Sequence, residues 1–154
     1  MNRRSNNHSG LFLLEIMIAI LFFAMVSAVC LRSFAKAHAL SQEASDINQA
    51  ISHMENVAEL LKSADNSVLN DSEKVAKLLS TEYTLVSVDQ KQYTLYFDKD
   101  WTNCPEDDAR YDIEIKDIGE SNDNKNLRNY NISSHTLSDD TAIEEFDLTL
   151  YTKN

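Results

Sequence analysis

Residues 11–31, LFLLEIMIAILFFAMVSAVCL, constrain this chain more than any other stretch, because the run holds 21 residues and a single charge, Glu15. At about 1.5 Å per residue such a run makes a helix roughly 32 Å long, enough to cross a hydrocarbon core of about 30 Å. Neither proline nor glycine interrupts it. A helix also pairs its own backbone polar groups, as lipid requires. The run therefore predicts a membrane-spanning helix.

The charge within this run needs an explanation. A carboxylate near the centre of a bilayer costs about 2.5–3.5 kcal/mol and usually has a partner. Glu15 lies near the N-terminal edge of the run, where the penalty is smaller. One interpretation is an interfacial glutamate whose side chain reaches water. The other is a carboxylate that an ammonium group or a hydrogen-bond donor compensates.

The residues around Glu15 resemble the processing site of type IV prepilins and pseudopilins. A short basic leader, MNRRSNNHSG, ends in Gly10, and the apolar run that follows carries Glu15 at its fifth residue. In that family a membrane peptidase cuts after the glycine and methylates the new N-terminus. The resemblance implies cleavage between Gly10 and Leu11 and N-methylation of Leu11. It also implies an assembly role for Glu15, which would neutralise the freed amine of Leu11.

For function, the resemblance implies a structural subunit of a type IV pilus, a competence filament or a type II secretion-like filament, and not an enzyme. The expected partners are a prepilin peptidase/methyltransferase, other pilin-like subunits packed through the N-terminal helix, an inner-membrane assembly platform and membrane lipid. The subunit would cross the cell membrane once, with a cytoplasmic N-terminus and an extracytoplasmic C-terminal domain, and would enter a surface filament on assembly. Many family members have a proline in the membrane half of the helix, whereas the only proline here is Pro105.

Two other kinds of N-terminal segment share some of these features. A secretory signal peptide has an apolar region of about 7–15 residues and a small-x-small cleavage site, and the run here is longer and continues into an amphipathic helix. An unprocessed signal anchor stays open. It carries the alternative function, a single-span anchored extracellular binding module that is neither processed nor polymerised. Such a module would keep residues 1–10.

Beyond the span, apolar residues recur at steps of three and four, with polar residues between them. The pattern predicts that the helix continues through residues 32–62, after the leader 1–10 and the assembly helix 11–31. The apolar stripe is either a spine packed on the rest of the domain or a coiled-coil seam with a partner. Its members are Phe34, Ala37, Leu40, Ala44, Ile47, Ile51, Met54, Ala58 and Leu61.

Residues 63–154 form the predicted globular distal part. Residues 63–70 read as a break, and Asp71 or Ser72 then caps a short helix. Alternating β-rich runs follow, of which the first two form a hairpin, and 98–108 is a loop. The fold class is therefore α+β, pilin-like: one long N-terminal helix on a small antiparallel sheet of three to five strands. The predicted strands are 84–88, 93–97, 111–115, 127–132 and 146–151, with acids of 111–115 facing outward.

Charge and composition exclude several functions. The chain has 25 acidic against 14 basic residues, a net charge of −11, which disfavours direct binding of nucleic acid by the subunit. Only two glycines are present, so no glycine-rich phosphate loop exists and no cofactor is predicted. The two cysteines, Cys30 in the span and Cys104 in the distal part, form no CxxC motif and are too far apart in the predicted organisation to pair.

The remaining chemistry-bearing residues give no convergent set. The histidines His38, His53 and His135 do not have metal-ligand spacing, and those on the helix are predicted to be solvated. Four acids could hold Ca²⁺ with loop carbonyls, although the EF-hand pattern is missing. The alternative is a solvated acidic loop, and no metal is predicted. The four candidates are Asp98, Asp100, Asp107 and Asp108; beside them, Trp101 is predicted to cover the core and Cys104 to be a small packed residue.

Overall fold

The structure is a computed structural model that describes residues 6–84, 86–121, 126–138 and 141–152, with side chains from Gly10 onward. It is α+β, as predicted, with two compact units, Met1–Ala44 and Ser45–Asn154. The elements in chain order are α1 (Asn6–Ser63), α2 (Asn66–Leu69), α3 (Ser72–Leu79), β1 (Ser87–Asp89), β2 (Gln92–Phe97), a 3₁₀ helix (Glu106–Asp108), β3 (Tyr111–Glu120), β4 (Leu127–Thr136) and β5 (Thr141–Tyr151).

The long helix α1 begins at Asn6 and ends at Ser63, so it covers both predicted helical segments and the last residues of the leader. Its end is stabilised locally. Lys62 lies in the last turn, where a cation interacts favourably with the carbonyl end of the helix dipole. The Ser63 hydroxyl donates to the Leu60 carbonyl oxygen at 2.7 Å. Residues 11–31 and 32–62 are thus parts of one continuous helix.

The C-terminal part of α1 is a spine of the second unit. Its buried apolar residues are 0–3% exposed, and they recur at steps of three and four as one face of a helix must. In the first unit the same stripe is uncovered, with Phe34 75% and Leu40 53% exposed. The predicted spine is therefore confirmed for the part of α1 that follows Ser45. Its buried members are Ala50, Met54, Val57, Ala58 and Leu61.

The predicted break and the predicted second helix are present, and the break contains a short helical turn that was not predicted. Within the break, α2 makes one short turn, whose Leu69 is only 3% exposed. Asp71 then caps α3, because its carboxylate accepts hydrogen bonds from the backbone N–H groups of Glu73 at 3.0 Å and Lys74 at 3.4 Å. These bonds satisfy donors that the first turn of a helix leaves free.

The sheet is an antiparallel meander with the order β1-β2-β3-β4-β5. β1 is shorter than the predicted 84–88, of which residue 85 lies outside the described residues. The pairing of Asp89 with Gln92 leaves a two-residue turn, where Gln90 has a φ of 54°. β3, β4 and β5 are longer than predicted, because pairing extends them past the alternating cores. Residues 122–125, between β3 and β4, lie outside the described residues.

One polar cluster lies within the core side of the sheet. Arg128 on β4 forms an ion pair with Asp117 on β3, and these side chains are 10% and 3% exposed. The Arg128 Nε donates to Asp117 Oδ1 at 3.1 Å, and its Nη1 donates to Asn70 Oδ1 at 2.5 Å. The guanidinium therefore connects the sheet to the end of α2 with a planar set of donors that a lysine could not match.

Candidate functional site

The predicted processing and assembly residues lie in the first turns of α1 within the described chain. Gly10, Leu11 and Glu15 are all exposed, and Leu11 is 65% exposed. Glu15 follows Leu11 by four residues, which places it one turn farther along the helix, about 6 Å in rise and about 40° in rotation. The two residues therefore share one face of the helix.

Gly10 has no structural role in the fold of its own chain. A Cβ built at this position meets no atom within 4 Å, and its φ is not in the left-handed region. Glycine within a helix costs roughly 0.5–1 kcal/mol relative to alanine. The described structure therefore contains no steric or conformational reason for glycine at this position.

The apolar run after Gly10 is uncovered. Within the described residues, one helix is long and apolar enough to cross a membrane, and its most apolar stretch of 18 residues is uncovered. Every large apolar side chain from residue 11 to residue 31 is exposed, with Phe23 reaching 75%. An apolar surface of this size is unusual on a soluble monomer and marks contact with lipid or protein.

The candidate Ca²⁺ ligands do not converge. Asp98 Oδ1 accepts hydrogen bonds from the backbone N–H groups of Asp100 at 2.8 Å and Thr102 at 3.0 Å. Asp100 pairs with Lys99 at 3.2 Å on the surface. Asp107 and Asp108 lie exposed on the 3₁₀ helix. Among the residues with described positions, no group of three or more His, Cys, Asp or Glu side chains is arranged to hold a metal ion.

The loop after β2 instead covers the core through Trp101. This residue has a φ of 58°, an unfavourable conformation for a bulky side chain unless neighbours hold it. Its indole stacks on Tyr111 with ring centroids 4.4 Å apart and planes 10° apart, and its Nε1 donates to Asp46 on α1 at 3.4 Å. Trp101 is 6% exposed, so the prediction that it covers the core is confirmed.

Cys104 lies in the same loop. Its thiol is half-buried and unpaired; Cys30 is also unpaired but is exposed. Burial raises the pKa of the Cys104 thiol, and Asp98 and Asp108 add to that effect. Because the thiolate is the reactive form, this residue is a packed side chain with low reactivity at neutral pH.

His53 corrects the expectation that the histidines of the helix are solvated. Its ring lies 4.6 Å from the ring of Phe97, and its Nδ1 lies 3.5 Å from the Tyr83 hydroxyl. Desolvation by burial lowers the pKa of His53, although a hydrogen bond to the Trp101 backbone and the charge of Glu82 act in the opposite direction. The neutral imidazole therefore belongs to the aromatic core. Sequence gives no signal of this, because the aromatic partners lie far away along the chain.

A second expectation, that Asp112 on the outer face of the sheet is exposed, is also wrong. Asp112 was expected to face solvent but is only 7% exposed, because His135 on β4 lies beside it and its Nδ1 is 3.3 Å from Asp112 Oδ1. Desolvation raises the pKa of Asp112, and the His135 charge opposes that shift. The strand register brings the two together, and the alternation pattern alone does not contain that information.

Other polar side chains of the outer face also pair across strands. Gln92 Nε2 donates to Glu114 Oε1 at 2.9 Å. Asn131 Nδ2 donates to Glu145 at 2.8 Å and to Asp147 at 2.9 Å. These contacts satisfy the polar groups of a solvated sheet face and provide no nucleophile with an adjacent base.

Comparison of the chain with models of known protein families, with characterised proteins and with solved structures gives no match.

Proposed function

We propose that this chain is a structural subunit of a pilin-like or pseudopilin filament. Residues 11–31 hold the subunit in the cell membrane, a prepilin peptidase removes the leader after Gly10, and N-methylation follows at Leu11. The subunit then leaves the lipid and packs with its neighbours through α1. Its role is assembly and not catalysis.

The observation that carries this proposal is the combination of Gly10 and Glu15 at the start of an uncovered apolar helix. The fold of the chain does not require glycine at position 10, since a side chain there meets no atom within 4 Å. A peptidase that approaches the backbone closely would supply the missing reason, because any side chain would crowd such a site. Glu15 lies five residues beyond the scissile bond in an otherwise apolar run.

Glu15 has a partner in the processed form of the protein. Cleavage creates an ammonium group at Leu11, and the corresponding group of a neighbouring subunit lies within reach when the two helices are shifted along their axes by about one turn. A carboxylate in apolar surroundings is stabilised when such a charge pairs with it. The pairing draws a subunit into the bundle and sets its axial position.

The uncovered apolar surface suits both stages of the pathway. In the membrane, lipid chains cover it, and in the filament the same surface contacts neighbouring helices. Leaving lipid for a helix gains little from the hydrophobic effect itself, so close packing and the Glu15 pair must favour assembly. A head-to-tail contact between parallel, shifted helices does not close on itself and gives a filament.

The distal sheet domain supplies the surface that such a filament would present. The chain carries a net charge of −11, and every acid except Glu15 follows residue 32. The outer sheet face is polar and internally hydrogen-bonded. Both features favour a solvated exterior that resists nonspecific association.

Intact mass and N-terminal sequencing of membrane-extracted protein test the proposal, with and without a co-expressed prepilin peptidase. A chain that begins at Leu11 and carries one added methyl group is the expected result, and it should appear only with the peptidase. A chain that still begins at Met1 in its native host would overturn the proposal. That outcome would favour the single-span anchored binding module.

A further inference from the structure

We infer that Lys36 and Glu43 form a second axial register between neighbouring copies of this chain, in which Lys36 of one copy pairs with Glu43 of the next. This inference rests on the proposed function, because it assumes parallel helices that share a membrane and a direction. It concerns the segment of α1 just beyond the span, whose occupant is a second copy of the same segment.

The first observation is that this segment of the helix has no covering. Phe34 and Leu40 are 75% and 53% exposed, and residues 28–44 are exposed throughout. The apolar stripe that the second unit covers farther along α1 is thus present here without a partner in the described chain. An apolar stripe at steps of three and four requires a second helix or another packed surface.

The second observation is how the charges are distributed. Arg32 and Lys36 are one turn apart and repel each other weakly along the helix. Glu43 lies seven residues beyond Lys36, about 10.5 Å in rise, too far for an ion pair within one straight helix. In the described residues none of these three side chains takes part in an ion pair. Lys36 and Glu43 therefore cannot pair within one chain. A neighbouring copy that is shifted along the helix axis can bring its Lys36 to Glu43.

The third observation is the shared direction of two base–acid pairs. The Leu11 amine precedes Glu15 by four residues, and Lys36 precedes Glu43 by seven. A neighbour moved toward the C-terminus brings its Leu11 amine to the level of Glu15 and its Lys36 toward the level of Glu43. The required shifts, about 6 Å and 10.5 Å, differ by less than the reach of a lysine side chain. One displacement therefore brings both pairs together, and the opposite displacement gives the same arrangement with the two copies exchanged.

The fourth observation is the position of these groups around the helix. At about 100° per residue, Lys36 lies about 20° from Leu11, and Glu43 lies about 20° from Lys36. All the charged groups from the processed N-terminus to Glu43 then fall within an arc of about 100°, with Leu40 inside it. One face of the helix therefore holds both the Leu11–Glu15 pair and the Lys36–Glu43 pair. Leu40 lies on the same face, between Lys36 and Glu43 along the helix.

Charge alone disfavours the unshifted arrangement. In a parallel pair at zero shift, Lys36 would lie at the level of Lys36 and Glu43 at the level of Glu43, so like charges would face each other. The shifted arrangement replaces these two repulsions with one attraction at each contact. Each copy then uses Lys36 toward one neighbour and Glu43 toward another, which makes the contact head-to-tail and open-ended.

A cysteine cross-linking experiment in full-length protein tests the register directly. In a background with Cys30→Ser and Cys104→Ser, a tagged Lys36→Cys chain is co-expressed with an untagged Glu43→Cys chain, and membranes are treated with a copper–phenanthroline oxidant. The expected product is a disulfide-linked pair of one tagged and one untagged chain. Cross-links mainly between two Lys36→Cys chains, or no cross-links in a preparation that forms filaments, would overturn the inference.

Charge reversal gives an independent measurement. Lys36→Glu and Glu43→Lys should each lower the yield of sedimentable filaments roughly two- to fivefold, the factor expected from losing one exposed ion pair. The double variant that exchanges the two charges should recover most of the yield. Glu55→Lys, a charge reversal at an exposed position in the middle of the same helix, is the matched control and should leave the yield unchanged.

The two proposals fail in different ways. If the wild-type chain is not processed at Leu11 or forms no filament, the proposed function fails. If the wild-type chain is processed and assembles, while both single reversals assemble equally well, then only the Lys36–Glu43 register is wrong.

Discussion

The indole Nε1 of Trp101 donates a hydrogen bond to the Asp46 carboxylate across 3.4 Å. Asp46 also hydrogen-bonds with the Tyr111 phenol, whose pKa is raised by burial and by this contact. One acid on α1 therefore holds both the loop after β2 and the first residue of β3. Because Trp101 has a φ of 58°, these contacts maintain a backbone conformation that a tryptophan rarely adopts.

Substitutions at this contact should separate the hydrogen bond from the packing. Trp101→Phe, which keeps an aromatic ring over Tyr111, should lower the free energy of unfolding by about 1–2 kcal/mol. Trp101→Ala should lower it by about 3–5 kcal/mol, because a buried aromatic side chain is lost. Urea unfolding of detergent-solubilised protein, followed by far-ultraviolet circular dichroism, measures both. Equal effects of the two variants would show that the stacking of the aromatic ring on Tyr111 contributes nothing to the free energy of unfolding.

Removing the buried charge of Arg128 alone should lower the free energy of unfolding more than removing both charges of the Arg128–Asp117 pair. Arg128→Met leaves Asp117, a side chain 3% exposed, without its counter-charge, and we expect a loss of about 3–5 kcal/mol. The double variant with Asp117→Leu should recover most of that loss. Urea unfolding of the two variants decides the matter, and a double variant as unstable as Arg128→Met would contradict the argument.

Stability should fall as the pH is lowered, through His53. Burial lowers the pKa of His53 in the folded chain below its ordinary value of about 6.5, so the unfolded chain binds more protons between these two pKa values. Stability is therefore full above about pH 6.5 and decreases as the pH falls toward the folded pKa. His53→Asn should flatten the dependence of the unfolding free energy between about pH 7.5 and 5.5. His38→Asn, at an exposed position of the same helix, is the control and should leave the slope unaltered.

Gly10→Val should block processing without disturbing the helix. No atom lies within 4 Å of a Cβ at this position, so the valine is accommodated by the chain itself, and its helix propensity is no lower than that of glycine. Intact mass with a co-expressed prepilin peptidase should show a chain that still begins at Met1. Membrane insertion and helix content serve as controls. Normal cleavage of Gly10→Val would remove the main support for a glycine-dependent peptidase.

Glu15→Val should separate processing from assembly. The substitution removes the only charge in the run 11–31 and should favour insertion by up to about 2.5–3.5 kcal/mol. Cleavage after Gly10 is expected to continue, while the filament yield should fall at least about tenfold, because the neighbouring Leu11 amine loses its partner. Glu15→Asp keeps the charge and should recover part of the yield. Filaments formed equally well by Glu15→Val would contradict the pairing.

Much of the fold could be predicted because its signals are local. The apolar run 11–31, the 3–4 stripe above it and the Asp71 cap each lie within a few turns of chain, where the period of the backbone dictates the side-chain pattern. The alternating runs predicted β2, the first half of β3 and the second half of β5 in the same way. Strand ends were less accurate, since cross-strand pairing extends β3 to Glu120 and β4 to Thr136.

The sequence by itself thus determined the uncovered apolar helix, its single carboxylate and the α+β class, because each of these depends on neighbours along the chain. Only the tertiary structure decided that Asp46 holds Trp101, that His53 lies among aromatic rings and that Asp112 is buried beside His135. These relationships join residues that lie 23 to 55 positions apart along the chain. They depend on strand register and on the packing of α1 against the sheet, and neither has a periodic signature that a single sequence could display.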